Sequence, residues 1–428
     1  MNDLDTLTAA LQRLDERAAE HARLTAYYEG RQPLAFLSPE AREALNNRLH
    51  TVPIGIPKLL VDTIGERLRV TGMTDPAIWA DWRSQDLGTM HRVAHREALL
   101  LGESHVIVWA GATGSPQVSV ESATQVSVAT DPASREVVSA VKRWSDAEGT
   151  HAVMFEPDRI TRWKSPTSGA ATTGFRRVDT LPNPLGVVPV VRLRNGDRLL
   201  DRGVSEMADI LGLTDALTKI TADMLVASEY VARPRRFATG LELSEDEDGN
   251  VESPIGEGDR LMVNESPEGK FGQLPGSDLS GYENAVGVLM RQISAVSGLP
   301  EHLLGIGGDN PTSADSIRAS EAALTAKAEA RQGTFGRAWE QVARLMGAVR
   351  TDADPASIDV TVTWADPSTR SAAQEADAVT KLFTAGLLPA AYALARLGYD
   401  ADEIAAIRAA RRAEALDNAG AILNGAGA

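Results

Sequence analysis

His91 and His95 stand four residues apart, a spacing that sets two imidazoles on one helix face as zinc ligands are set. The helical metalloprotease pattern needs a glutamate directly after the first histidine. Arg92 is there instead, and no third ligand is in view. The pair therefore reads as two ordinary helix-surface histidines. Gly102-Glu103-Ser104-His105-Val106 resembles half of a nucleophile elbow but lacks the second glycine. The loop Gly305-Ile306-Gly307-Gly308-Asp309-Asn310-Pro311 does not end in the Lys-Ser/Thr pair that completes a triphosphate cradle. Glu245-Asp246-Glu247-Asp248-Gly249-Asn250 sets its acids side by side rather than in the alternate order of a calcium loop, and reads as a solvated turn. Asn264-Glu265-Ser266 is a glycosylation sequon, idle outside the secretory route. The one basic island, Arg233-Pro234-Arg235-Arg236, suits a helix end whose dipole it complements as well as a nucleic-acid contact. No catalytic constellation, metal site or cofactor site emerges.

The elements that would carry these residues fall into two regimes. Leu4, Leu7, Leu11, Leu14 and Ala18 predict an amphipathic helix over the first 30 residues. A helix with Leu60, Ile64 and Leu68 on one face follows the prolines at 33, 39, 53 and 57, and stops near Gly72. Another is expected from about Asp75 to Leu101, offering Trp79, Trp82, Leu87 and Val93 for burial. From Ser104 to about Val191 the period changes to two, with short runs at 105–109, 117–120, 125–128, 137–144, 151–155 and 160–163. Turn residues separate them as in an antiparallel sheet.

The second regime is helical. Met207, Ile210, Leu211, Leu217, Ile220, Met224 and Leu225 form a stripe over residues 203–231, and the helix stops before Pro234. Residues 233–281 are rich in Gly, Pro, Ser and acids, which suggests a small projecting element. Tyr282, Val286, Leu289, Ile293 and Val296 then repeat close to a 3.5-residue seam. After the glycine loop, Thr312 with Asp315 is a plausible capping box for a helix running to about Arg350, with a bend expected at Gly333 and Gly336. Residues 358–364 alternate like a strand, and an Ala-rich helical tail closes the chain.

Composition narrows the function. The chain has 428 residues, is 43% hydrophobic and 24% charged, and contains no cysteine, which excludes disulfides and thiolate metal sites. No run of 18 or more apolar residues occurs, so no membrane span is expected, and Met1-Asn2-Asp3-Leu4-Asp5 does not read as a signal peptide. Synthesis in a reducing cytoplasm fits. The net charge is −16. A protein that grips duplex DNA is normally basic, because neutralising phosphates supplies most of its affinity. An acidic chain is compatible with DNA only if its task is not to hold it.

Helix, insert, helix, glycine loop and long helix, in that order, resemble the portal (head-to-tail connector) proteins of tailed bacteriophages, in wording the siphophages of actinobacteria. Four stretches carry the likeness. They are Ala232-Arg233-Pro234-Arg235-Arg236-Phe237-Ala238-Thr239-Gly240; Lys270-Phe271-Gly272-Gln273-Leu274-Pro275 with Asp278-Leu279-Ser280-Gly281-Tyr282; ISAVSGLPEHLL from Ile293 to Leu304; and Thr363-Trp364-Ala365-Asp366-Pro367-Ser368-Thr369-Arg370-Ser371 running into Ala376-Asp377-Ala378. Tyr27-Tyr28-Glu29-Gly30 and the turn Arg67-Leu68-Arg69-Val70-Thr71-Gly72 fit as well.

The resemblance implies an α+β, ring-forming portal fold. Residues 1–200 would be the wing, 201–231 and 282–304 the stem helices, and 232–281 the clip. Residues 305–312 would be the tunnel loop, 313–350 the long kinked helix, 351–366 a strand returning to the wing and 367–428 the crown. The DNA-facing loop would be Gly305, Ile306, Gly307, Gly308, Asp309, Asn310, Pro311 and Thr312. The clip would meet the adaptor and the motor through Arg235, Arg236, Phe237, Glu245, Asp246 and Phe271. The implied partners are further copies in a ring, usually of twelve, the major capsid protein, the head-tail adaptor, the large terminase subunit (the packaging ATPase) and the double-stranded DNA in transit. The place would be the unique vertex of the virion. The rival readings are another structural ring of the head-tail junction, and a metal-dependent hydrolase using His91, His95 or the acidic run.

Overall fold

A computed structural model describes residues 3–33, 52–111, 114–196, 198–199, 202–232, 236–239, 244–245, 251–252, 268–273, 279–306, 313–368 and 372–425. They divide into two compact units: Met1–Gln32 with Pro53–Gly212 and Ile293–Ala428, and Pro33–Val52 with Leu213–Gln292.

The larger unit starts with α1 (Asp3–Asp15) and α2 (Ala18–Tyr28), two helices where the leucine spacing predicts one. Leu7, Leu11 and Leu14 are buried as that spacing requires, whereas Leu4 and Ala18 are exposed. The break falls at Glu16-Arg17. There the Arg17 guanidinium donates to the carbonyls of Leu101 and Gly203, partners no local pattern announces. Pro57 sits in the first turn of α3 (Ile56–Glu66), where a missing N–H costs nothing. Residues 67–72 are more than the expected turn, because Val70–Met73 form strand β1. Asp75 caps α4 (Pro76–Ser84) by accepting from the amides of Ala77 (2.8 Å) and Ile78 (3.1 Å). Asp86, at φ 53°, separates α4 from α5 (Leu87–Leu101), again two helices where one was expected. A left-handed residue cannot continue a right-handed helix. Val93 is exposed, not buried.

All six expected strand runs are strands, but they form two sheets, with two further strands. β2 (Glu103–Ala110) lies between β3 (Pro116–Ser122) and β9 (Val190–Arg194). β4 (Val126–Thr130), β5 (Val137–Asp146), β6 (Gly149–Phe155), β7 (Arg159–Ser165) and β8 (Arg176–Pro182) follow in order as an antiparallel meander. Val141 pairs Met154 and Ala152 pairs Trp163, which sends these side chains to the face covered by Leu7 and Leu11 of α1. Burying each of those leucines stabilises the fold by roughly 1.5–3 kcal/mol.

The smaller unit holds most of α6 (Leu211–Ala232) and of α7 (Ser280–Ser297). A single 3-10 turn, Ala208–Ile210, precedes α6, so the helix starts later than the stripe from 203 suggests. Met207, Ile210, Leu211 and Leu217 of that stripe are buried and Leu225 is exposed. The insert has strands of its own. β10 (Arg236–Thr239) pairs β13 (Lys270–Gln273), and β11 (Ser244–Glu245) pairs β12 (Val251–Glu252).

The larger unit resumes at Ile293 and includes α8 (Ala314–Ser320) and α9 (Ala322–Thr351). Ser313 caps α8 by accepting from the Ser316 amide at 3.3 Å, so the capping residue is not Thr312, which lies outside the described residues. The helix passes unbroken through Gly333 and Gly336, and the interruption is at Glu321 instead. Gly336 has a different use. A Cβ there would come 3.2 Å from Trp364 Nε1, so glycine lets the indole of β14 (Val362–Trp364) sit against the helix. β14 pairs β1. The chain ends in α10 (Ala372–Thr384), α11 (Ala390–Arg396) and α12 (Ala401–Gly425). Among the described residues no helix is long and apolar enough to cross a membrane.

Two glycines fix the approach of residues 202–207 to the end of α5. Gly102 has φ 90° and Gly203 φ 105°, and a Cβ on Gly102 would lie 2.7 Å from the Gly203 carbonyl. Gly102→Ala is expected to cost about 2 kcal/mol or more, from backbone strain and a clash with main chain. Gly114→Ala, also at positive φ (76°) but in open space, should cost clearly less. Urea denaturation of both variants checks this, and equal losses would show that the close approach is not what Gly102 provides.

Candidate functional site

Helix α5 presents His91 and His95 inward, not to the surface: they are 2% and 0% exposed. His95 Nε2 accepts from the Trp339 indole at 2.7 Å, which leaves its Nδ1 to donate to the Leu68 carbonyl at 3.2 Å. His91 Nδ1 is 2.6 Å from the Leu87 carbonyl, and its Nε2 faces the Val70 amide at 3.4 Å. Both rings are therefore held neutral by one donor and one acceptor each. Trp82 meets Trp339 edge to face at 4.9 Å, and Phe335 stacks on His95 at 5.1 Å. Burial drives His91 down to about 4 and His95 well below its ordinary value. No group of three metal-ligating side chains exists among the described residues. These histidines join α5 to Leu68, to β1 and to α9, and they are buried.

The glycine loop is described at its edges. Gly305 (φ 72°) ends a short 3-10 turn, Glu301–Leu304, and the Ile306 amide donates back to the Glu301 carbonyl at 3.0 Å. Gly307, Gly308, Asp309, Asn310, Pro311 and Thr312 lie outside the described residues. One carboxylate serves both flanks. Glu321, 6% exposed, ends α8 and meets His302 Nε2 at 3.4 Å, from the segment before the loop. Its other oxygen takes Arg67 Nη2 at 3.0 Å, and the same guanidinium donates to the Pro367 carbonyl at 2.9 Å. The two ends of the loop are thus tied to one point behind α3.

In the insert, Phe237 is 48% exposed and pairs Gly272 across the ladder, where its ring occupies the space a Cβ would need. Arg236 and Phe271 lie on the paired strands β10 and β13, and Glu245 on β11. Arg235 and Asp246 lie outside the described residues.

The Phage portal protein, SPP1 Gp6-like family model matches residues 10–416. The chain belongs to this phage portal family. It is 30% identical over 422 residues to the portal protein of Mycobacterium phage L5, covering 91% of this chain and 84% of that one. It is 30% identical over 382 residues to the portal protein of Mycobacterium phage D29, covering 82% and 77%. It is also similar, at TM-score 0.48 and 15% identity over 89% of this chain and 93% of the other, to a chain in the virion of a native gene transfer agent particle. A second such likeness, at TM-score 0.47 and 15% identity over 88% and 98%, is to the neck of the native particle computed with C12 symmetry.

Among the described residues, sequence reasoning also missed buried ion networks centred on Glu103 and on Glu206. Glu103 is shared by Arg17 (3.1 Å) and Arg192 (2.5 Å), beside the wholly buried His105. Glu206 is shared by Lys327 (3.2 Å) and Arg331 (3.1 Å), with the Asn195 amide at 3.2 Å. Nearby cations hold both carboxyls below the usual range against a desolvation that works the other way. Their partners are up to 125 residues away in sequence, so spacing carries no trace of them.

The neutral histidines set a pH dependence. Burial depresses His91 and His105 to about 4 and His95 further, while the unfolded rings titrate near 6.5. Below 6.5 the unfolded chain takes up protons that the folded chain refuses, so stability is full above 6.5 and falls as pH drops towards 4. Each ring contributes about 1.4 kcal/mol per pH unit within that window. Denaturation at pH 7 and pH 5 should show the loss, reduced in His95→Gln relative to its own pH 7 value. A flat profile would contradict the neutral assignment.

Proposed function

We propose that the portal chain acts as one subunit of a ring, of twelve copies by family resemblance, through which viral DNA enters and leaves the head at a unique vertex. The match to the portal family across residues 10–416 is the observation that carries this reading. In this reading residues 1–200 are the wing, 201–231 and 282–304 the stem, 232–281 the clip, 305–312 the tunnel loop and 367–428 the crown. The wing meets the major capsid protein. The clip meets first the packaging ATPase and later the head-tail adaptor, with Arg235, Arg236, Phe237, Glu245, Asp246 and Phe271 as its contacts. The chain is made in the host cytoplasm, supplies no catalysis, and leaves ATP hydrolysis to the motor.

Charge supports a sliding role. Each copy carries −16, and any part of it that lines the channel stands within about a Debye length, some 8 Å, of the passing phosphates. Repulsion at that range prevents the duplex from settling at one position. A basic wall would release counterions and bind it. In the loop, glycines permit backbone shapes closed to other residues, and Asn310 offers an uncharged amide to DNA. The described flanks of the loop meet at Glu321.

Deleting Gly307–Asn310 should leave ring assembly intact and sharply lower the DNA retained in heads. Sedimentation of the purified variant and the DNA content of particles made with it check the two halves. Full-length DNA at ordinary yield would remove the loop from the mechanism.

A further inference from the structure

Beneath the turn between α1 and α2 lies a cavity of about 200 Å³ with Arg13, Arg17, His21, Glu103, Arg192 and Arg202 on its walls. Four guanidiniums thus face one carboxylate. From outside, Glu20 meets Arg17 at 3.1 Å and Glu16 meets Arg202 at 2.8 Å, which still leaves the group one charge positive. The inner three members are largely withdrawn from water: the side chains of Arg17, Arg192 and Glu103 are 11%, 17% and 12% exposed. The surplus charge lies at the rim, with Arg13, where an anion entering the cavity would meet it.

A second observation points the same way. His21 is 2% exposed, and neither ring nitrogen has a hydrogen-bond partner among the described residues. A buried imidazole left so carries an unmet desolvation cost unless something in the cavity meets it. Arg202, with a side chain 63% exposed, stands at the mouth, so an ion can enter without the core opening. The far wall is the edge strand β4, whose outer side pairs with no other described strand. The space equals that of several water molecules, enough for one phosphate group.

We infer that this cavity binds a phosphate oxyanion, free or as a small monoester, held by Arg13, Arg17, Arg192 and Arg202 with His21 donating to one of its oxygens. Planar guanidiniums suit such an oxyanion because their N–H groups lie in a fixed fork; Arg17, already serving Glu20, Glu103 and the Leu101 and Gly203 carbonyls, adds mainly its charge. The bound ion would lock the α1–α2 turn onto β2 and β9.

Titration calorimetry of the full-length protein with inorganic phosphate, against sodium chloride at equal ionic strength, tests this. Saturable binding is expected, weakened roughly tenfold or more in Arg13→Gln and in His21→Leu. Arg13 is partly exposed at the rim, so its variant should fold even if the His21 variant does not. A phosphomonoester such as glycerol phosphate distinguishes the two sources by which of them binds tighter. Absence of heat with both ligands, or unchanged affinity in Arg13→Gln, would overturn the assignment. So would an equal response to acetate, which would give the cavity to a carboxylate.

Discussion

The larger unit depends on keeping one long helix, α9, immobile while much of it is surrounded. Phe335, Trp339, Val342, Ala343 and Met346 are fully buried on it. Its contacts reach β2, β3, β9, β14, α3 and α4. A helix so enclosed would still be free to shift along its axis, because apolar contact has little direction. Polar ties at three levels remove that freedom. Arg67 holds Glu321 at the start, the Trp339 indole holds His95 in the middle, and Asp81 receives Arg350 at the end. The carboxylate of the first tie also meets His302, from the segment before the glycine loop.

Some buried carboxylates each gather two cations. Two cations share Glu103 and two share Glu206. Such triads stabilise less than their short distances suggest, since each ion gives up hydration. They do fix direction, because Glu103 of β2 draws in Arg17 from the α1–α2 turn and Arg192 from β9. The buried His21 on its wall, with neither ring nitrogen partnered among the described residues, is what sets the cavity under the α1–α2 turn apart from an ordinary gap in packing.

Much of the architecture was legible in the sequence because period and burial coincide. Leu7, Leu11 and Leu14 face the sheet as their spacing requires, and the alternating runs from 105 to 163 are strands. What failed did so where distant contacts decide. The breaks at Glu16-Arg17 and Glu321 follow from a guanidinium binding carbonyls far away and a carboxylate gathering His302 and Arg67. His95 looks like a surface residue because its partner, Trp339, lies 244 residues away, and His91 because the Val70 amide that faces it comes from a strand outside its helix. Gly333 and Gly336 suggested a bend, yet the helix is continuous there and Gly336 admits Trp364. The portal likeness rested on ordered wording rather than on any local rule, and it held over residues 10–416. Of the loop and insert residues singled out, Gly305, Ile306 and Phe237 have described surroundings, while Gly307, Arg235 and Asp246 fall outside the described residues.

Everything functional requires that copies of this chain close around an opening wide enough for a DNA duplex. Electron microscopy of the purified protein measures that directly. Closed rings with a central hole, twelve- or thirteen-fold by class averaging, are the expected result. Particles that stay monomeric at every concentration would contradict it.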